Sequence, residues 1–281
     1  MSNLPQELVD MIIDEVVKCP PLSGPEISNY SMVSRHWRER THKHRFRYIT
    51  FRGWDEMEKW CTAIEAGPSG VSWHVRQLDL EKIYTLKGFE EHIRALTRVQ
   101  EVELTDCSIL RSLPDVETFT LMGSRLVRLR IDGALTTPHI MASLLAGLPL
   151  LRELSMEDLE FKCEPKPAES LPNIPFFEHP NSLELLMWDY LPEKLSWIPR
   201  TARFRDLRIK AICIKKNPKL VNGWLDSSGG SLQWLTIRED SWGTYSPICL
   251  AQRNFRSPPS DCAVSFQVSL SPLWTSRNVQ P

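Results

Sequence analysis

Seven cysteines, at positions 19, 61, 107, 163, 213, 249 and 262, and seven histidines are the residues best equipped to hold a metal or attack a carbonyl. Neither set is spaced for that work. No two cysteines form CxxC, whereas a structural zinc site or a disulfide framework needs clustered thiols. The thiols are expected to be reduced and mostly buried. His42 and His44 lie two apart in a basic helix and cannot share a face. No HExxH, nucleophile elbow, phosphate-binding glycine loop or dinucleotide fingerprint occurs. Gly229-Gly230 precedes a strand-like stretch rather than a helix. The sequence therefore predicts no catalytic residue, no metal and no cofactor: a chain that is not an enzyme and works by binding.

Charge narrows the partners. Lys and Arg total 34 against 35 Asp and Glu, so no global field favours nucleic acid or an acidic membrane. The run Arg35 to Arg47 holds six Lys/Arg and three His against Glu39. Such a run suits nuclear import or nucleic-acid contact. The plainer reading is the solvated face of a helix whose apolar side is Trp37 and Phe46, because the rest of the sequence offers no matching basic surface. No apolar run reaches the roughly 18 residues of a spanning helix, and the N-terminus does not read as a signal peptide. A cytoplasmic or nuclear protein, with no nucleic-acid or membrane partner, is expected.

The elements that would position a binding surface come from a repeat. The pattern L-x-x-L-x-L, with any large apolar residue allowed, recurs at Val75/Leu78/Leu80, Val99/Val102/Leu104, Leu126/Leu129/Ile131, Leu151/Leu154/Met156, Leu183/Leu186/Trp188, Phe204/Leu207/Ile209 and Leu232/Leu235/Ile237. First positions advance by 24, 27, 25, 32, 21 and 28 residues. Cys107 and Ile109 extend one unit to the L-x-x-L-x-L-x-x-C-x-L form. This is the period of a leucine-rich-repeat array, in which each unit needs its neighbours to bury its apolar side. Phe46/Ile49/Phe51 fits the same pattern, 29 residues before Val75. Segments 54–66, 88–96, 138–145 and 218–225 read as helices between strands. A proline-rich insertion spans 163–180. From about Asp240 the register is lost, leaving one strand-like piece, 264–270, in an end cap or a disordered tail.

In a strand, alternate side chains face opposite ways. If the L positions face the core, the third and fifth residues of each unit face the other side. That stripe runs from acidic units through Arg128 and Arg130 to Leu185, Met187, Arg208 and Trp234. A solvated strand face has no need of Leu, Met or Trp, and Trp and Arg are enriched in binding hot spots. These six residues are the candidate substrate-docking surface.

The N-terminus carries a different signal. Leu4, Leu8, Ile12 and Val16 form one apolar stripe on a helix, and Val9, Ile13 and Val17 form a second. That is wider than one small core requires and predicts a helix covered twice, once by another chain. Pro20-Pro21 end this helix. A short second helix carries Ile27, Tyr30 and Val33, and a third starts near His36. Leu4-Pro5-x-Glu7-Leu8 at the start and Ser31-Met32-Val33-Ser34-Arg35-His36-Trp37 at the end resemble an F-box, over roughly Leu4 to Tyr48. The proline-rich stretch between the first two helices departs from the family pattern. The resemblance implies a three-helix unit that binds a Skp-type adaptor and, through it, cullin, with Leu4, Pro5, Leu8, Ile12, Val33 and Trp37 at or beneath the adaptor surface. The expected fold is α/β: an F-box over 1–48, an irregular leucine-rich-repeat solenoid over 46–240 with about eight parallel strands on its concave face, and an irregular cap or tail over 241–281. The expected function is a substrate-recognition adaptor of an SCF-type ubiquitin ligase for an unknown protein substrate, or, failing that, a non-ligase F-box/leucine-rich-repeat scaffold.

Overall fold

The structure, a computed structural model, describes residues 5–18, 32–66, 72–162, 174–186, 192–195, 197–240 and 263–269. Helix α1 (Gln6–Lys18) starts directly after Pro5, whose carbonyl accepts from the Leu8 and Val9 amides. Helix α2 (Arg35–Arg45) is capped by Ser34, whose hydroxyl accepts from the Trp37 amide at 3.2 Å. Asp10 and Asp14, one turn apart on α1, face His36, Arg40 and His44, one turn apart on α2. Ile13 is buried at the inner side of α1.

From there the chain is α/β, with a nine-stranded sheet in which every neighbouring pair is parallel. Its strands are β1 (Tyr48–Arg52), β2 (Gln77–Glu81), β3 (Glu101–Thr105), β4 (Arg128–Asp132), β6 (Glu153–Glu157), β8 (Asn181–Leu186), β9 (Phe204–Lys210), β10 (Trp234–Asp240) and β11 (Ala263–Ser269). Strand order follows chain order throughout. Two short strands, β5 (Leu135–Thr136) and β7 (Glu160–Phe161), pair separately within the connections. One buried row runs through Ile49, Leu78, Val102, Leu129, Leu154, Leu183, Leu207 and Leu235, and a second through Phe51, Leu80, Leu104, Ile131, Met156, Leu185, Ile209 and Ile237. These are the fourth and sixth positions of each unit.

Connections on the buried side include α3 (Trp54–Ala66), α4 (Glu90–Ala95), α5 (Leu113–Thr120), α6 (Pro138–Ala146), α7 (Ala211–Lys216) and α8 (Pro218–Ser228). Ser112 and Thr137 cap α5 and α6 through the Asp115 and Ile140 amides, each ahead of a proline in the first turn. Under β6 to β9 buried aromatic rings from the connections, from β9 and from α8 fill the core: Phe161, Phe177, Trp197, Phe204 and Trp224 stand with neighbouring centroids 5.8–6.3 Å apart.

Each early strand ends in the same device. Gly53, Lys82, Asp106, Gly133 and Asp158, the residues immediately after β1, β2, β3, β4 and β6, all take positive φ. The first four donate their amide to the last carbonyl of the next strand, at 2.8–3.2 Å. This turns the chain off the sheet without leaving an unpaired backbone group.

Two sequence expectations are corrected here. The unit read as Leu183/Leu186/Trp188 has Leu183 and Leu185 inward, in line with Leu154 and Met156. Its first position is therefore Pro180, and the spacings of 32 and 21 residues become 29 and 24. Leu183, Leu185 and Leu186 are all apolar, so the sequence admits two registers; a three-residue shift reverses the faces, and packing against Met156 and Ile209 selects one. The period also does not stop at 240, since β11 pairs with β10 in register, Val264 beside Leu235 and Phe266 beside Ile237.

Candidate interaction surfaces

Two surfaces stand out, one on the helices and one on the sheet. On α1, the ion pairs to α2 fix which face looks outward. His36 Nε2 meets Asp10 at 2.6 Å, and His44 Nε2 meets Asp14 at 2.8 Å, while Arg40 bonds both Asp14 oxygens. The opposite face shows Leu8 (44% exposed), Met11 (62%) and Ile12 (45%), and Val33 just before α2 is 63% exposed. Pro5 is exposed and Trp37 half-buried. Leu4 and the short second helix over Ile27 and Tyr30 lie outside the described residues. Met11 was missed from sequence; its spacing of three from Leu8 is the signal that would have found it.

The sheet's outward face is polar and carries a groove of about 490 Å³ across β4 to β9. Arg128 and Arg130 lie on it, each held between carboxylates of both neighbouring strands. Arg128 bonds Glu153 at 2.7 Å and Glu101 at 3.1 Å, and Arg130 reaches Glu157 at 3.2 Å and Glu103 at 3.5 Å. The Glu153 hydrogen bond, above all, raises the Arg128 pKa above its ordinary value. Two arginines so engaged make poor phosphate receptors. Arg208 lies 3.9 Å from Glu184, whose other oxygen accepts from Ser155.

The apolar part of the docking stripe does not survive as expected. Leu185 is fully buried and belongs to the core, for the register reason above. Met187 lies outside the described residues. Trp234 is outward and 54% exposed, opposite Asp206 and beyond the groove. The groove is instead lined by Glu153, Glu157, Glu184, Asp206 and their arginine partners. Acidic positions on strands β2 and β3 extend it, with Tyr48 donating to Asp79 at 3.2 Å.

Burial, then Glu157 and Asp158, raise the pKa of Asp132 at the end of β4. Among the described residues no cluster of three or more His, Cys, Asp or Glu is arranged to hold a metal, and no helix is long and apolar enough to cross a membrane. No protein-family model and no curated protein matches this chain.

Proposed function

We propose that this chain is the substrate-recruiting subunit of an SCF-type ubiquitin ligase, an F-box followed by a leucine-rich-repeat array. The observation that carries the reading is the outward apolar patch of Leu8, Met11, Ile12 and Val33, within the stretch that resembles an F-box. A Skp-type adaptor covers that patch and links it to cullin, and the concave sheet face receives a protein substrate. The parallel strands in chain order, at steps of 24–29 residues, support the array reading. The chain does no chemistry. It holds a substrate lysine near a conjugating enzyme and raises its effective concentration. The compartment is cytoplasmic or nuclear.

Co-expression with a Skp-type adaptor and a cullin tests this. The expected result is one complex holding all three chains. Recovery of the adaptor without cullin assigns a non-ligase scaffold, and recovery of neither sinks the proposal.

A further inference from the structure

Read along the chain, the basic run on α2 has no matching basic surface, and the register of the sheet supplies one. The backbone carbonyls of Arg47, Arg76 and Gln100 each accept the two amides that begin the next unit. Residues at this step, and those two before it, therefore line up along the N-terminal edge of the strands. Arg45 and Arg47, His74 and Arg76, then Arg98 and finally Arg125 occupy those places. Steps of 24–29 residues separate them along the chain, so no local run betrays them.

We propose that the cleft between α2 and this edge binds a compact ligand carrying two or more closely spaced phosphates. The cleft is about 590 Å³, within the range of small-molecule sites. Arg40 from α2 faces Arg47, Arg76 and Arg98 from the sheet edge, with His44 and His74 between them. Among the described residues of its lining Asp14 is the one carboxylate, and Arg40 and His44 already hold it. Counting the described lining residues alone, four guanidiniums against one carboxylate leave a formal excess of three positive charges, histidines not counted.

Arg76 is half-buried and donates to the Val75 and Arg98 carbonyls, both at 3.4 Å. Burial, then the charges of Arg98, Arg125 and Arg47, push its pKa below the ordinary value. A bound anion relieves that repulsion. Guanidinium groups suit phosphate because their planar forks bind its oxygens in pairs. The cations converge on one cleft, and beyond it the edge carries, among the described residues, only Arg125 and Arg152 before Arg203 and Arg205 at β9, a gap that favours a compact ligand over a long nucleic-acid strand. Held there, the ligand cross-braces α2 against the sheet.

The test is calorimetric titration of the full chain with tripolyphosphate at about 0.15 M salt, where diffuse surface attraction is screened beyond roughly 8 Å. The expected result is saturable one-to-one binding, with a rise in Tm as ligand is added. Arg47→Gln changes an exposed side chain whose backbone alone pairs with the sheet. It should leave the ligand-free Tm unchanged and weaken binding about tenfold or more, while Arg203→Gln, farther along the edge, leaves binding intact. No saturable binding, or equal binding by wild type and Arg47→Gln, overturns the proposal. So does a single-stranded oligonucleotide that binds more tightly than tripolyphosphate and is weakened as much by Arg152→Gln as by Arg47→Gln, which would define an extended nucleic-acid track. None of these readouts involves the adaptor, so failure here leaves the ligase proposal untouched.

Discussion

Arg40 on α2 closes on Asp14 of α1 with two parallel hydrogen bonds, Nε to one carboxylate oxygen at 2.8 Å and Nη2 to the other. Beside it, Asp10 accepts from His36. These contacts lock the rotation of α1, and with it the direction in which Leu8 and Ile12 point.

That lock is sensitive to acid. The Arg40 hydrogen bond lowers the Asp14 pKa, and the His36 hydrogen bond lowers that of Asp10. Groups whose folded pKa is depressed stabilise fully above their unfolded value, about 3.9, and lose that contribution as pH falls through the folded values. Hydrogen exchange should show α1 amides losing protection below about pH 4. Asp14→Asn should loosen α1 already at neutral pH, by about 1 kcal/mol.

The apolar patch separates binding from folding. Leu8→Ala with Ile12→Ala removes two half-exposed side chains, so Tm should move little. Affinity for a Skp-type adaptor, measured by surface plasmon resonance, should fall at least about tenfold. Unchanged affinity would remove these residues from the interface.

Leu185 and Trp234 should part company. Leu185→Ala opens a cavity in a closed core and should cost about 2–5 kcal/mol in a urea melt. Trp234→Ala, at an exposed position, should stay within about 1 kcal/mol and act on partner binding instead.

The turn after β4 gives a sharper contrast. Gly133 has φ +65°, and a Cβ there would strike the Asp106 carboxylate. Gly53 has φ +100° with open space around it. Both Gly→Ala changes meet at least the left-handed penalty of about 1–2 kcal/mol, Gly53→Ala because φ +100° lies outside the left-handed region open to alanine and Gly133→Ala because it must also push the Asp106 carboxylate aside, and both should lower Tm in thermal melts.

Cysteine chemistry is a further check on the core. Burial pushes the Cys107 thiol up to about 11 and Cys213 up to about 12, and Cys107 donates to the Leu80 carbonyl at 3.0 Å. At pH 8 neither is a thiolate to any useful extent. Iodoacetamide should spare both in the native protein and label them in denaturant, as read by mass spectrometry.

Much of the sheet was legible because its signal is periodic. Six of the seven L-x-x-L-x-L sets after the N-terminal region sit in the core as expected, and the pattern at Phe46/Ile49/Phe51 places Ile49 and Phe51 in the first strand. Helices over 54–66, 138–146 and 218–228 also follow their apolar spacing. The failure at Leu185 came where three leucines crowd one strand and alternation no longer distinguishes the faces. The left-handed turns were invisible because glycine, lysine and aspartate all fill them, so residue type does not mark them. The basic cleft was hidden for a different reason: Arg47, Arg76 and Arg98 come together only once the register is known.

The agreement of strand order with chain order has a genetic consequence. Each strand's sheet partners are the strands immediately before and after it, so no pairing within the sheet ties one end of the array to the other. A unit of 24–29 residues can be duplicated or lost in frame, and the flanking strands simply meet each other. The outward face of the sheet can thereby lengthen, shorten or change its charges over generations while α1 and α2 stay as they are. Selection for new partners then acts on one part of the gene without retuning the other.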